Sequence, residues 1–234
     1  MGDFGKYPFS LPAIRNLEHL DIHPKVTIFV GENGSGKSTL LEAIAVALGF
    51  NAEGGTRNFN FQTRQSHSEL YKYLRVTRGT KRPRDGFFLR AESFFNVATE
   101  IERLDSDEEP CFAPPVIDSY GGRSLHEQSH GEAFLALMLN RFSGQGVYLL
   151  DEPEAALSPQ RQLAVLSRMH DLIQEESQFI MATHSPILMA YPDAQIYHCD
   201  ADGVKKIAYE ETEHFRITRE FLLNRQRMLQ ILME

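Results

Sequence analysis

The residues with the clearest chemical potential are nine consecutive positions, 31–39, that follow a short apolar run. They read GENGSGKST and match the pattern G-x-x-x-x-G-K-[ST] at its fixed positions, which are Gly31, Gly36, Lys37 and Ser38. Glycines and small polar residues leave room for backbone N–H groups to curl around a phosphate group, which larger side chains would block. The pattern therefore predicts a loop that binds nucleotide phosphates.

Two side chains of this loop have predicted roles in chemistry. Lys37 has the length to reach the β- and γ-phosphates, and the Ser38 hydroxyl is a suitable ligand for Mg²⁺. A helix that begins at Ser38 would direct its positive end towards the phosphates. The predicted nucleotide contacts in this loop are Asn33, Gly34, Ser35, Gly36, Lys37, Ser38 and Thr39.

A second group of chemical interest is a pair of carboxylates after the apolar run 147–150. Asp151 follows this run, so we expect it beside the phosphate loop, where it would hold Mg²⁺ through the water shell of the metal. Glu152 comes next, and a second carboxylate is what orienting or deprotonating an attacking water molecule requires. We therefore predict Ser38 and Asp151 as metal ligands and Glu152 as a catalytic residue. The alternative is an acidic pair at a strand end without a catalytic role.

The segment 124–134 reads SLHEQSHGEAF and places small and acidic residues before a predicted helix. Its run from Gln128 to Glu132 resembles the LSGGQ signature of the ABC-type ATPases, with His130 in place of the first glycine. In that family the serine and glycine bind the γ-phosphate of ATP held by the other subunit. The resemblance implies that Ser129, Gly131 and Glu132 contact ATP, whereas the segment by itself also fits an ordinary capped helix start.

Two more motifs of the same family follow along the chain. PEAALSP at 153–159 resembles the D-loop, with Ser158 where aspartate is usual. ATHSP at 182–186 resembles the switch-histidine segment, which implies that His184 contacts the γ-phosphate and holds the water molecule and Glu152 in register. A lone histidine after a strand can also be structural, and the ordered series of motifs favours the catalytic role.

Together these motifs resemble the ABC-type ATPase superfamily. The wording of GENGSGKST, DEPEAALSP and ATHSP is similar to its soluble RecF-, SMC- and OLD-like branch, and to short bacterial ATPases of the AAA family with the runs FFLRAESFFN and SLHEQSHGE. The resemblance implies ATP and Mg²⁺ as cofactors, catalysis by Glu152, His184 and Lys37, and a head-to-tail homodimer that forms on ATP. A Q-loop glutamine is not present, and Glu92 stands where it would be expected.

These motifs need elements that bring them together. Strands are predicted at 26–30, 86–90, 147–150, 179–182, 195–199 and 204–208, and helices at 38–48, 92–104, 131–142, 159–175 and 217–233. A lead-in strand within 1–25 and an edge strand within 71–84 are predicted as well. Strands separated by helices predict an α/β P-loop NTPase fold of the ABC type. In this fold a mostly parallel sheet is covered on both faces, and the ligand lies at the carboxyl ends of the strands.

Length and composition assign these elements to one domain. The 234 residues predict a single ABC-type ATPase domain with a short helical insert at about 93–125. A net charge of -8 provides no global attraction to nucleic acid or anionic lipid. The two cysteines, Cys111 and Cys199, lack metal-ligand spacing, and no run resembles a signal peptide or a membrane span. We therefore expect a cytoplasmic protein.

Three functions remain open at this point. The main hypothesis is an ATPase that drives or gates a separately encoded partner in DNA maintenance or a defence-like system. The alternatives are the ATP-binding subunit of a membrane transporter, against which the missing Q-loop glutamine weighs, and an ATP-gated binding module with negligible turnover. Basic residues between Lys72 and Arg84 permit a contact with nucleic acid, but an edge strand protected by charge is the favoured explanation.

Overall fold

The computed structural model describes residues 5–57, 68–91, 94–106 and 114–234, and its centre is a sheet of six strands. The strands are β1 Val26–Val30, β2 Asp85–Arg90, β3 Gly146–Asp151, β4 Gln178–Ala182, β5 Gln195–Asp200 and β6 Gly203–Ile207. Their order is β2-β3-β4-β1-β5-β6, and every pair is parallel except β5 with β6. The predicted α/β class with a mostly parallel sheet is confirmed.

Helices connect these strands. In the described ranges they are α1 Pro12–Arg15, α2 Lys37–Ala47, α3 Phe94–Ser106, α4 His130–Ala136, α5 Pro159–Gln174, α6 Pro186–Met189, α7 Glu213–Leu223 and α8 Arg225–Met233. A π-helical turn, Leu137–Arg141, continues α4. The six main strands and the helices α2, α3 and α5 lie within two residues of their predicted bounds, whereas the helix predicted at 131–142 consists of α4 and the π-helical turn that continues it.

The helices pack on both faces of the sheet, because successive side chains of a strand point to opposite faces. All five residues of β1 are buried. Val26, Ile28 and Val30 belong to a core cluster with residues of α3, α4 and α5. Phe29 belongs to a second cluster with residues of α2. The loop that leaves β1 therefore starts from the middle of three packed layers.

The predicted lead-in strand is wrong for residues 5–25, which form turns, the short helix α1 and a stretch without regular structure at 17–23. Pro12 occupies the first turn of α1, where its fixed φ angle and missing N–H are tolerated. Ala13 and Ile14 are both buried in clusters that include residues of α2. The apolar residues of this segment thus pack one helix on another instead of alternating along a strand.

The predicted edge strand within 71–84 is also wrong. Glu69–Tyr73 forms a 3-10 turn, and the residues from there to β2 have no regular structure. The turn is capped by Ser68, whose hydroxyl accepts a hydrogen bond from the Leu70 backbone N–H. Leu70 is buried against Ala43 of α2. This anchor holds the chain on α2, so β2 is the outer strand on this side of the sheet.

The C-terminal segment is two helices and not the single predicted helix at 217–233. The first, α7, begins earlier because the Thr212 hydroxyl caps it by accepting from the Phe215 backbone N–H. Asn224, at φ −125° and ψ 34°, interrupts the helical backbone before α8. Asparagine competes with helical hydrogen bonding through its side chain, which here donates to Glu220 Oε1 at 2.7 Å.

A polar network closes the end of the sheet opposite the phosphate loop. Asp85, at the start of β2, accepts hydrogen bonds at 2.9 Å from Arg141, Ser143 and Tyr148. Burial raises the pKa of Asp85, but Arg141 and the hydrogen bonds outweigh burial, so the pKa lies below its ordinary value. The folded protein therefore favours the ionised carboxylate.

We expect Asp85→Ala to lower the free energy of unfolding by about 2 kcal/mol at neutral pH, because the partly buried Arg141 loses its carboxylate. A lowered pKa stabilises the fold above the pKa of the unfolded chain, and this stabilisation is lost as the pH falls through the folded pKa. Urea unfolding should therefore show the difference shrinking in acid. Asp202→Ala, which removes an exposed carboxylate, is the control, and equal stability of both variants at neutral pH would contradict the prediction.

Candidate active site

The phosphate loop joins β1 to α2, at the carboxyl end of a strand that lies between β4 and β5. Gly31, with φ +141°, passes so close to β5 that an added Cβ would lie 2.2 Å from the Cys199 carbonyl oxygen. Only glycine fits this close approach. Asn33 and Gly34 are exposed at the tip of the loop, so they are accessible to a ligand.

Lys37, the first residue of α2, is 4% exposed. Its Nζ donates hydrogen bonds to the carbonyl oxygens of Gly31 at 2.9 Å and Glu32 at 2.8 Å. Burial lowers the pKa of Lys37, while nearby negative groups that include Glu152 and Asp151 act in the opposite direction. The loop thus holds an ammonium group on neutral carbonyl partners, which phosphate oxygens can replace.

Ser38 and Asp151 meet although they are distant in the sequence. The Ser38 hydroxyl donates to Asp151 Oδ1 at 2.9 Å, since β3 ends beside the first turn of α2. Hydroxyl and carboxylate oxygens are the ligands that Mg²⁺ prefers, and Mg²⁺ sites in phosphate enzymes use few protein groups together with phosphate oxygens and water. The Ser38 and Asp151 pair therefore has the chemistry to hold a Mg²⁺ that the nucleotide helps to bind.

Glu152 follows β3 in the left-handed region, at φ 49° and ψ 51°. Its backbone N–H donates to the Ala182 carbonyl at the end of β4, at 2.9 Å. Its side chain is 43% exposed, and Oε1 lies 3.7 Å from His184 Nε2. The structure thus brings two predicted catalytic residues together. Positive φ angles at residues other than glycine are costly and cluster at functional sites, so the backbone of Glu152 also fits a functional role.

Glu154 is a partly buried carboxylate behind these residues, and sequence reasoning did not assign it. It accepts a hydrogen bond from the Thr183 hydroxyl at 2.7 Å and one from the His184 backbone N–H. Burial raises its pKa, and these two hydrogen bonds oppose that effect. Glu154 thereby anchors the backbone that carries His184. Its position in the DEPEAALSP run, shortly after the two predicted carboxylates, is the sequence feature that could have identified it.

Gln162 of α5 connects the D-loop segment with the histidine segment. It is buried, its Nε2 donates to the Leu157 carbonyl at 3.0 Å, and its Oε1 accepts from the Ser185 hydroxyl. Ser158, where the D-loop usually has aspartate, caps α5 by accepting from the Arg161 backbone N–H at 3.4 Å. Gln162 therefore links the D-loop segment to the residue after His184 through hydrogen bonds on both sides.

The predicted signature residues lie against the D-loop segment of the same chain. Ser129 and Glu132 form a capping box, with the Ser129 hydroxyl donating to Glu132 Oε2 at 2.7 Å. Glu132 also lies 3.4 Å from Arg161 of α5. An added Cβ on Gly131 would lie 2.5 Å from the Ala156 carbonyl oxygen, so glycine permits this packing. In the described part of the chain, these contacts join the segment to α5 and not to the phosphate loop.

Arg90, at the end of β2, is a second residue that sequence reasoning missed. Its Nη1 donates to Glu42 Oε2 at 2.7 Å, and its Nε lies 3.8 Å from Asp151 Oδ2. The positively charged guanidinium of Arg90 therefore borders the predicted metal site, two residues before the position expected for the Q-loop. Glu92, the expected Q-loop equivalent, lies outside the described residues, and its role stays a prediction.

The sequence of this chain is similar to known protein families and to individual proteins. Residues 2–109 match a family described as an AAA domain. Residues 116–190 match a second AAA domain family, whose description is that of a proposed AbiEii toxin from a type IV TA system. The hemin import ATP-binding protein HmuV of Nocardia farcinica (strain IFM 10152) is 30% identical over 194 residues, which cover 79% of this chain and 67% of that protein. The chain belongs to the ABC-type ATPase superfamily.

Other ABC-type proteins are similar as well. A proposed ABC transporter ATP-binding protein of Caldanaerobacter subterraneus subsp. tengcongensis is 28% identical over 191 residues, 76% of this chain and 77% of that protein. A solved inward-facing ABC transporter of proposed metal-chelate type has a TM-score of 0.48 and 19% identity, covering 84% of this chain and 78% of that one.

Family membership confirms two of the predictions, because members of this superfamily bind ATP and hydrolyse it. This chain is an ATP-binding ABC-type ATPase. The roles of individual residues, Mg²⁺ and the cytoplasmic location stay predictions. Among the described residues, no helix has both the length and the apolar character needed to cross a membrane.

Proposed function

We propose that this ATPase hydrolyses Mg-ATP at two sites formed between two copies of the chain. Each site combines the phosphate loop of one copy with Ser129 of the other. The observation that carries this proposal is the convergence of Lys37, Ser38 with Asp151, and Glu152 with His184 at the carboxyl ends of neighbouring strands. This half-site contains groups for binding, metal coordination and water activation.

The chemistry follows from these groups. Lys37 exchanges its carbonyl partners for β- and γ-phosphate oxygens. Ser38 and Asp151 would hold Mg²⁺, which when bound neutralises charge on the phosphates. Glu152 orients the attacking water molecule and accepts its proton. His184 contributes Nε2, which is buried and has no hydrogen-bond partner in the described structure, to a γ-phosphate oxygen.

The second copy is needed because the signature segment packs on its own D-loop segment through the buried Gly131, while Ser129 and Glu132 are exposed and available to another chain. A two-fold arrangement brings the same surface of each copy to the phosphate loop of the other, and so creates two equivalent sites. ATP then stabilises the dimer, since it contacts both copies. Hydrolysis removes the γ-phosphate contact with Ser129 and loosens the pair.

Mixing two inactive variants tests this arrangement. Lys37→Ala damages the phosphate loop and Ser129→Ala damages the signature, so each homodimer should be inactive. In the mixed dimer, one site would combine an intact loop with an intact signature, which should restore up to roughly a quarter of wild-type phosphate release in an equal mixture. If phosphate release in the mixture stays at background, the site does not combine the loop and the signature of different chains.

The similar proteins favour a membrane transporter as the partner of this ATPase over a system for DNA maintenance or defence. Both curated relatives carry an ATP-binding role in transport in their names, one for hemin import and one for an ABC transporter. We therefore favour the ATP-binding subunit of a membrane transporter, working with a separately encoded membrane protein. DNA maintenance has no support from these relatives.

A defence-like assembly remains the second candidate, because residues 116–190 match the family described with the AbiEii toxin. Affinity purification of the full chain from its own cells, with and without detergent, distinguishes the two partners. An integral membrane protein retained only with detergent supports transport, and a partner in the aqueous fraction supports the second candidate. Phosphate release at background level would instead favour the ATP-gated binding module.

A role in binding nucleic acid has weaker support. Two of the basic residues at its predicted surface are paired with carboxylates, Lys72 with Glu69 and Lys81 with Glu176. Arg75 and Arg78 are exposed. If this segment contacts a phosphate backbone, affinity should fall steeply with salt concentration, and a flat salt dependence would exclude it.

A further inference from the structure

His214 lies in direct contact with the switch histidine. It is in the first turn of α7, and its Nε2 lies 2.9 Å from His184 Nδ1. The two ring centroids are 5.0 Å apart. This distance is that of a hydrogen bond, so one of the two nitrogens carries the proton and the other accepts it. The C-terminal helix therefore contributes a side chain to the environment of His184.

The surroundings of His184 indicate which nitrogen carries the proton. On its other side, Nε2 faces Glu152 Oε1 at 3.7 Å, and in the proposed site it also faces phosphate oxygens. These groups are acceptors, so a lone pair at Nε2 would be repelled and an N–H is favoured there. A neutral imidazole with its proton on Nε2 has an accepting Nδ1. His214 must then be the donor, through its own Nε2–H.

Both rings are in an environment that disfavours their charged forms. Burial lowers the pKa of His184, and Lys37 lowers it further, while Glu152 raises it. Burial also lowers the pKa of His214, as do His184 and Lys37, against the opposite effects of Glu213 and Glu154. Two neutral rings can share one hydrogen bond, whereas two fully protonated rings would place N–H against N–H.

The position of His214 is maintained by contacts on both sides of it. The Tyr209 hydroxyl donates to the Pro186 carbonyl, two residues after His184, at 2.9 Å. The Tyr209 ring packs on Phe215 with centroids 4.6 Å apart. Thr212, which is fully buried, caps the helix. The start of α7 is thus docked on the histidine segment, so the two rings meet in a defined geometry.

We propose that His214 is a positioning residue for ATP hydrolysis, whose Nε2–H holds His184 in the tautomer that presents an N–H to the γ-phosphate. This inference rests on the proposed role of His184. His214 acts through His184 and does not touch the nucleotide. Its loss should therefore reduce kcat and leave KM for ATP nearly unchanged, since the phosphate loop that binds the nucleotide is intact.

Three substitutions separate the hydrogen bond from the bulk of the ring. His214→Ala and His214→Phe both remove the donor, and phenylalanine keeps an aromatic ring in its place. We expect each to lower kcat by about tenfold, the scale typical of losing a partner that orients a functional histidine. His214→Gln keeps an N–H donor of similar reach and should recover most of the activity. His19→Ala, which removes an exposed imidazole, is the control.

A combined variant distinguishes failure of this inference from failure of the proposed site. His184→Ala should lower kcat strongly, and adding His214→Ala to it should have no further effect, because the two residues act as a unit. If His184→Ala retains full turnover, the proposed role of His184 is wrong. If His184→Ala is inactive but His214→Phe equals wild type, only the positioning role is wrong.

The tautomer can also be measured directly. In the full chain labelled with ¹⁵N-histidine, long-range ¹H–¹⁵N spectra should show His184 protonated at Nε2 and not at Nδ1. In His214→Phe the same ring should populate the other tautomer, while His214→Gln should resemble wild type. A wild-type His184 protonated at Nδ1 would overturn the inference, because His184 would then be the donor.

Discussion

Lys37→Ala is expected to lose ATP affinity by on the order of 100-fold, since an ammonium group that contacts phosphate oxygens contributes roughly 2–3 kcal/mol. Lys37 is buried and its ammonium group already contacts two carbonyl oxygens of the loop, so the alanine variant leaves these oxygens and the phosphate without a cation. Titration calorimetry with ATP and Mg²⁺ measures the loss. Phosphate release should fall to background in the same variant.

The control for this variant is Lys25→Ala, which removes an exposed ammonium just before β1. It should bind ATP as wild type does. Circular dichroism should show that Lys37→Ala is folded, because the truncated side chain leaves α2 and its apolar contacts in place. Unchanged ATP affinity in a folded Lys37→Ala would mean that the loop does not bind phosphate.

The second large effect is expected for Glu152→Gln, which should retain ATP but hydrolyse it at least about 100-fold more slowly, the usual effect of removing a general base. The amide has nearly the shape of the carboxylate, and the side chain is 43% exposed, so the fold should not change. Because hydrolysis is what loosens the proposed dimer, this variant should accumulate as a dimer with ATP. Light scattering and phosphate release measure both properties.

Glu175→Gln serves as the matched control, because Glu175 is exposed and follows α5. It should turn over ATP normally and show no trapped dimer. A Glu152→Gln protein that stays monomeric with saturating ATP would count against the two-copy site. Normal turnover in Glu152→Gln would remove this residue from the reaction and leave the metal ligands without an identified base.

Sequence patterns predicted most of the architecture, for a physical reason that the strands illustrate. Residues 147–150 of β3 and 179–182 of β4 are continuous apolar runs buried by layers on both sides, so their composition alone indicates strands in a parallel sheet. Loops at the ends of such strands meet at one edge of the sheet. The meeting of Ser38 with Asp151 was therefore predictable from the two motifs and the fold class.

The errors lie where packing between elements overrides local pattern. Alternating apolar and basic residues in 71–84 resemble a strand, but the segment beside them is held on α2 through Leu70. The 5–25 segment contains enough apolar residues for a strand, but Pro12 begins a helix that packs on α2. Local patterns do not specify which neighbour buries an apolar residue, so these assignments required the tertiary structure.

The sequence by itself determined the phosphate loop, the carboxylates that follow β3 and the family, because each is a run of adjacent residues with one arrangement of chemical groups. The tertiary structure alone decided what supports those groups. Glu154 binds the backbone of His184, and His214 contacts its ring from a helix 30 residues further along the chain. The His214 contact depends on how the start of α7 packs against the segment that carries His184, which no short sequence spacing encodes.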